Sequence, residues 1–423
     1  MSFAFIFFSI FLSACHAQES FAPFFKCSKK MEEPYGICTH ITRTGKQYEY
    51  ETRDKDLSMI ERTGATFIRI DFDWNNLIKK GDWIFRYELL DSAVLSSYNS
   101  DKKILGILTL HDNFGTVLDW EKYVSQIVMR YKNSCYYWEI INEADSKFRR
   151  YSGINVTDYA EFLKRGYRTI KSNNNKAHVL FSGVAYAEKD FVDEVLKNDV
   201  RRYFDIMNVH HYASKSIEPE DFISYYEKIG KKLKKYEINK PLWLTETGAS
   251  TYDNGGVSEA QQAEWLPRMY IISFACGIDK VFWYKSRSNE IDSNDRECCF
   301  GLWHKDYFPK PVFYTYKTLI KMCPNKSSRP KLVRLGNVYV SLWKRPDGKK
   351  VYALWSSKNE EKLIINIKGN YKIYSDKGEE MEYLSTSDLL VTSSVKYIVG
   401  AKSLQISNER IVNITKEADG FTK

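Results

Sequence analysis

The chain has 423 residues, of which 43% are hydrophobic, enough for one large domain and a smaller one. Its 63 basic and 54 acidic residues leave a net charge of +9, with the lysines spread out and no long basic run. That excludes a nucleic-acid arm and leaves no nucleic-acid partner, while a surface excess of Lys is compatible with an acidic polysaccharide. Aromatic residues reach 15%, rings that serve either large cores or stacking against sugars.

Residues 2–14 (SFAFIFFSIFLSA) form an apolar run too short to span a membrane and placed like a signal peptide, although no Lys or Arg precedes it. The run ends in Leu12-Ser13-Ala14-Cys15, which resembles a bacterial lipobox. That resemblance implies a lipidated Cys15 and a cell-envelope lipoprotein, in the periplasm or on the outer membrane. Ordinary cleavage after Ala17 would give a secreted protein instead. Residues 1–17 are read as the region of the signal peptide or lipoprotein signal, with membrane contact only through an anchor at Cys15. The oligomeric state stays open.

Residues 18–34 read as a tether or short cap. From Tyr35 onward, apolar strand-like runs alternate with helical patterns. The strands fall near 35–40, 66–72, 103–110, 136–142, 178–185, 204–212, 241–247 and 280–286. Near-continuous apolar runs are expected of parallel strands buried on both faces. Eight repeats over residues 35–325 predict an α/β fold of the (β/α)8 TIM-barrel type. A doubly wound sheet is the alternative, but no Gly-rich phosphate loop follows the first strand. Beyond the linker-like NKSSRP at 325–330, helical periodicity gives way to alternating apolar and polar residues. Residues 331–410 are therefore expected to form a smaller C-terminal antiparallel β-sandwich. The eight cysteines show no zinc-ligand spacing, and nothing calls for a metal or a cofactor. Cys298 and Cys299 are adjacent and could pair.

Active sites of such barrels lie at the C-terminal ends of the strands. The fourth strand, YYWEIIN, ends in Asn142 and is followed by Glu143; the seventh, PLWLTET, carries Glu246 near its end. Two carboxylates on nearly opposite strands can face each other across one pocket. Cleavage of a glycosidic bond needs such a pair.

The segments WEIINEA and WLTETG resemble the two catalytic motifs of glycoside hydrolase clan A, the retaining barrel glycosidases. Residues 57–94 and 301–320 resemble, in particular, family 39-like members. The resemblance implies a carbohydrate substrate, Glu143 as acid/base and Glu246 as nucleophile. It further implies that Arg69, in TFIRIDFDW, lies under the nucleophile and keeps it ionised. His210 and Tyr212, in VHHY, would face the pocket, with His211 pointing away. Trp283, in VFWYKS, would floor the sugar site, and Asn142 would bond the sugar hydroxyl beside the anomeric carbon. His111, with Asp112 and Asn113, is a candidate sugar contact after the third strand, as are Trp74 and His40. Glu139 reads as a buried strand carboxylate, and Glu297 as either a surface residue or a subsite. The alternatives to hydrolysis are transglycosylation at the same site and a catalytically silent glycan-binding lipoprotein.

Overall fold

The computed structural model describes residues 18–43, 52–74, 86–109, 116–146, 154–358, 360–382 and 389–413. The leader with Cys15, and His111 with Asp112 and Asn113, lie outside the described residues.

The chain begins with β1 (Gln18–Phe21) and β2 (Tyr35–Cys38), followed by α1 (Arg53–Thr63), β3 (Phe67–Asp73), α2 (Glu88–Asn99) and β4 (Lys103–Thr109). Next come α3 (Val117–Tyr131), β5 (Cys135–Ile140), α4 (Val156–Asn173), β6 (His178–Leu180), α5 (Asp190–Leu196) and β7 (Met207–His210). The barrel finishes with α6 (Asp221–Lys235), β8 (Leu242–Thr247), α7 (Glu259–Cys276), β9 (Lys280–Trp283) and α8 (Pro311–Met322).

Strands β2 to β9 form one parallel sheet in the order β6-β5-β4-β3-β2-β9-β8-β7. Parallel bridges Leu180–Ile206 and Val184–Val209 join its two ends and bring the sheet round into a barrel. Strong local signals fix several helices. Thr116 and Asp119 make a reciprocal capping box on α3, and Ser258 and Gln261 another on α7.

Two apolar layers hold the barrel. The outer one packs the helices against the outward face of the strands. The inner one fills the lumen with Phe67, Leu105, Trp243 and Phe282, among others. The Phe67 ring meets Tyr137, Trp243 and Phe282 edge-on at 5.3, 5.8 and 6.0 Å between centroids. This aromatic plug leaves the rim at the strands' C-terminal ends as the place for polar chemistry.

The C-terminal part comprises β10 (Lys331–Leu335), β11 (Val338–Lys344), β12 (Lys350–Ser356), β13 (Glu361–Lys368) and β14 (Lys372–Tyr374), then β15 (Glu380–Met381), β16 (Leu389–Val391), β17 (Lys396–Val399) and β18 (Ser403–Asn413). They form two antiparallel sheets, β1-β10-β11-β12-β17-β14-β15 and β16-β13-β18, around their own apolar core. Residues 18–34 are thus more than a tether, since Gln18–Phe21 pairs along β10 as an edge strand. Side-chain bonds clamp the sandwich and its linker to the barrel. Arg329 donates to the carbonyls of Phe274 and Ile278 and to Asp279, Trp343 donates to Met322 O, and Trp355 to Glu220.

Candidate active site

Strand alternation puts Phe67, Arg69 and Asp71 of β3 on one face, toward the lumen. Arg69 is almost wholly buried and joins three partners from neighbouring elements. Its Nε and Nη2 donate to the two oxygens of Glu139 at 2.8 and 2.9 Å. Nη1 donates to Glu246 Oε1 at 2.6 Å, and Nη2 also to Asn142 Oδ1 at 2.7 Å. Burial opposes charge on this guanidinium, but Glu139 and Glu246 outweigh it and hold Arg69 protonated well above its ordinary range. Glu139, buried mid-strand, is therefore the bidentate anchor of Arg69.

Glu246 is bonded on both oxygens, by Arg69 on Oε1 and by the Tyr212 hydroxyl on Oε2. Burial first, and the Glu246 charge second, push the Tyr212 phenol well above its usual range, so it stays a donor. His210 reaches Glu143 Oε1 through Nδ1 at 3.1 Å and Thr245 Oγ1 through Nε2 at 3.1 Å. Thr245 in turn donates to Asn208 Oδ1 at 2.7 Å. One oxygen of Glu143, one of Glu246 and a ring nitrogen of His210 all lie within 4.8 Å of one another. These three could approach a cation, but the guanidinium 2.6 Å from Glu246 would repel one, and both Glu246 oxygens are already engaged.

Neighbouring residues of a regular strand point to opposite sides, yet Asn142 and Glu143 both serve this site. The backbone resolves the conflict past the end of β5. Ile141 and Glu143 adopt positive φ of 64° and 47°. For a β-branched residue such as Ile141 that costs of order 1–3 kcal/mol. Bonds from Ile141 N to Leu108 O and from Glu143 N to Gly183 O hold the turn.

Above this network lies a cavity of about 260 Å³, lined in part by Arg69, Asn142 and Glu246 from the network. His40, Asp71, Tyr284 and Glu297 form part of its wall. His40 Nε2 meets the Tyr284 hydroxyl at 3.3 Å, and Tyr284 donates to Glu297 at 2.9 Å. Burial drives the His40 imidazole down to about 3, with Arg43 adding to the fall, so it is neutral near neutral pH.

Of the residues read from the sequence, Glu143, Glu246, Asn142, Arg69, His210 and Tyr212 come together here. Trp283 does not. Phe282 fills the lumen, so Trp283 falls on the opposite face, fully buried in the outer core with its indole N–H on Phe300 O. The aromatic side chain that lines the cavity is Tyr284, one residue on. Trp74 also belongs to the core, edge-on to Tyr123 at 5.1 Å. His211 points away as expected and stacks on Tyr225 at 3.8 Å, with burial lowering it to about 4. Cys298 and Cys299 are free thiols. Sequence reasoning missed Asp71, Arg43 and Tyr284; the two-residue spacing of Arg69 and Asp71 was the available signal for the first.

A family model described as cellulase (glycosyl hydrolase family 5) matches residues 27–288. No curated protein matches the chain in sequence. Among solved structures, a family 39 glycoside hydrolase from the gut symbiont Bacteroides cellulosilyticus WH2 is similar, with TM-score 0.73 and 20% identity over 88% of this chain and 81% of that one. A glucosidase from Croceicoccus marinus superimposes with TM-score 0.68 at 13% identity, covering 95% of this chain and 100% of that one. A monomeric beta-xylosidase from Caulobacter crescentus CB15 gives 0.64 at 11% identity, covering 89% and 98%. At these identities the structures speak to the fold alone.

Proposed function

The chain belongs to the cellulase family, glycosyl hydrolase family 5, and on that premise we propose that it cleaves glycosides with retention, Glu246 as nucleophile and Glu143 as acid/base. One observation carries the reading: one oxygen of Glu143 and one of Glu246 lie within 4.8 Å of each other, which sets the carboxyl groups close together. Retaining enzymes hold the two carboxyl groups about 5–5.5 Å apart, whereas inverting ones need roughly 6.5–9.5 Å to seat a water.

The network supports each step. Arg69 and Tyr212 favour the ionised form of Glu246 and fix its plane. A Glu246 oxygen attacks the anomeric carbon while the Glu143 proton passes to the departing glycosidic oxygen. The C–O bond breaks and a glycosyl ester forms on Glu246. Water then gives a proton to Glu143 and attacks the same carbon, freeing Glu246. Two inversions leave the configuration unchanged. The hydrogen bonds also suit an acid at position 143. With the Thr245 hydroxyl donated to Asn208, its oxygen accepts from His210 Nε2–H, and the bare Nδ1 accepts the Glu143 carboxyl hydrogen.

The substrate is a plant or microbial polysaccharide or oligosaccharide. The family's description and the neighbours' names put β-glucosides and β-xylosides first in any screen. Incubation with a fluorinated glycoside that forms but does not hydrolyse the ester should label Glu246, seen by peptide mass. Label on another residue, or none with a substrate the enzyme turns over, would refute the assignment. We also keep export and lipidation of Cys15 as a proposal, for which Cys15→Ser should release the protein from the membrane fraction.

A further inference from the structure

Three fully buried side chains stand in line behind Glu143: His210, Thr245 and Asn208. Asn208 and His210 are two residues apart on β7 and so share its lumen side. Thr245 comes from the adjacent β8, one residue before Glu246, and a register shift between Leu244 and Thr247 lets both side chains serve this region. His210 spans from Glu143 Oε1 to Thr245 Oγ1, 3.1 Å at each end, and the Thr245 hydroxyl donates to Asn208 Oδ1 at 2.7 Å. The Asn208 amide nitrogen is buried with no hydrogen-bond partner among the described residues. Leaving a buried amide unpaired is unfavourable, and an apolar residue of the same shape would pack here without that loss. What Asn208 supplies is therefore its oxygen.

A threonine hydroxyl has a single hydrogen. Once that hydrogen is given to Asn208, the Thr245 oxygen can only accept from His210, so Nε2 carries the imidazole hydrogen and Nδ1 is bare. The bare nitrogen stands 3.1 Å from Glu143 Oε1 and 3.6 Å from Glu246 Oε2. A lone pair between two carboxyl groups is repelled unless one of them brings a hydrogen. Glu246 has no need of one, because Oε1 accepts from Arg69 and Oε2 from Tyr212. The hydrogen therefore falls to Glu143. With the opposite tautomer, Nδ1–H would donate toward both carboxylates, favour the charged form of each and leave the pair without an acid. The same bare nitrogen serves the second step. After Glu143 has protonated the departing oxygen, its carboxylate faces a lone pair, and taking the hydrogen from the attacking water restores the bond.

We infer that Thr245 and Asn208 are positioning residues: together they hold His210 as its Nε2–H tautomer and so assign the proton of the resting carboxylate pair to Glu143 and not to Glu246. No proton passes along the chain; the two residues act by fixing the direction of its hydrogen bonds. The inference rests on the retaining-glycosidase reading and adds to it what decides which carboxyl is the acid.

The test reads the tautomer directly, by long-range proton–nitrogen NMR of the protein labelled with nitrogen-15 in its histidines, the His210 signals being assigned by their loss in His210→Gln. At neutral pH the wild type should show a protonated Nε2 and a bare Nδ1. Thr245→Val keeps the shape but takes away the acceptor of Nε2–H, and Asn208→Leu frees the Thr245 hydrogen to point at Nε2. Both should move His210 toward the Nδ1–H tautomer. Each should also lower kcat on a plain phenyl glycoside about tenfold or more, with little change in KM and with the dinitrophenol burst largely spared. Thr245→Ser, which keeps the hydroxyl, should restore tautomer and rate together, whereas a purely structural role would leave the tautomer alone. A wild-type His210 with hydrogen on Nδ1, or on both nitrogens, overturns the inference even should a variant fail to fold. So do folded Val and Leu variants that keep the wild-type tautomer and rate. An enzyme that turns over no glycoside and takes no covalent label on Glu246 sinks the glycosidase reading, an outcome separate from the tautomer spectrum.

Discussion

In Gly183→Ala the added Cβ would stand 2.1 Å from His210 Nε2, 2.7 Å from His210 Cε1 and 2.8 Å from Glu139 Oε1. A comfortable carbon contact is about 3.5 Å, so the imidazole would have to retreat by about 1.4 Å. It has no slack for that. Nδ1 and Nε2 each sit 3.1 Å from their partners, Glu143 and Thr245, and Tyr225 holds the backbone carbonyl. Gly183 cannot retreat instead, because its N–H is on Glu139 and its carbonyl on Glu143 N. Overpacking of this kind costs about 1–3 kcal/mol, a drop of a few degrees in Tm. Displacing a catalytic carboxyl's partner by about 1 Å can cost ~100-fold in rate. The assay is kcat on two aryl glycosides, one with an activated dinitrophenyl leaving group and one with plain phenyl. The phenyl substrate should lose far more at the glycosylation step, because its leaving oxygen depends on the proton from Glu143. Wild-type rates on both substrates with an unchanged Tm would refute the claim that His210 positions Glu143.

Two further expectations follow from the same network. Tyr212→Phe strips Glu246 Oε2 of its hydroxyl donor and should lower kcat by about ten- to a hundredfold with little change in KM, measured by steady-state kinetics. His40 has a pKa of about 3 in the fold against 6.5 for the free group, so between those values only the unfolded chain takes up the proton. Stability is therefore lost as pH falls below 6.5, by about 2 kcal/mol at pH 5 from this group alone. Denaturation curves at both pH values should show the loss, and His40→Gln should reduce it.

The sequence made the barrel legible because burial on both faces forces continuous apolar runs, and all eight formed strands where those runs lie. Glu143 and Glu246 were legible because chemistry fixes their type and the strand ends fix their place. Trp283 was misplaced by matching residue type without strand phase; Phe282 points into the lumen, so the alternation turns Trp283 outward and hands the cavity to Tyr284. Asp71 carried a usable signal, its spacing from Arg69, but Arg43, His40 and Glu297 converge on the cavity from segments distant in the chain. Their meeting depends on loop paths that no local pattern encodes. Gln18–Phe21 was invisible for a related reason: a four-residue edge strand is defined by its partner β10, more than 300 residues later.

The anomeric configuration of the first-formed product tests the central claim most directly. Proton NMR of an aryl glycoside in early turnover resolves that product before mutarotation mixes the anomers. Oxygens of Glu143 and Glu246 within 4.8 Å predict a product with the configuration of the substrate. A product of opposite configuration from the unmodified enzyme would mean that water, not Glu246, attacks the anomeric carbon, and would contradict the account.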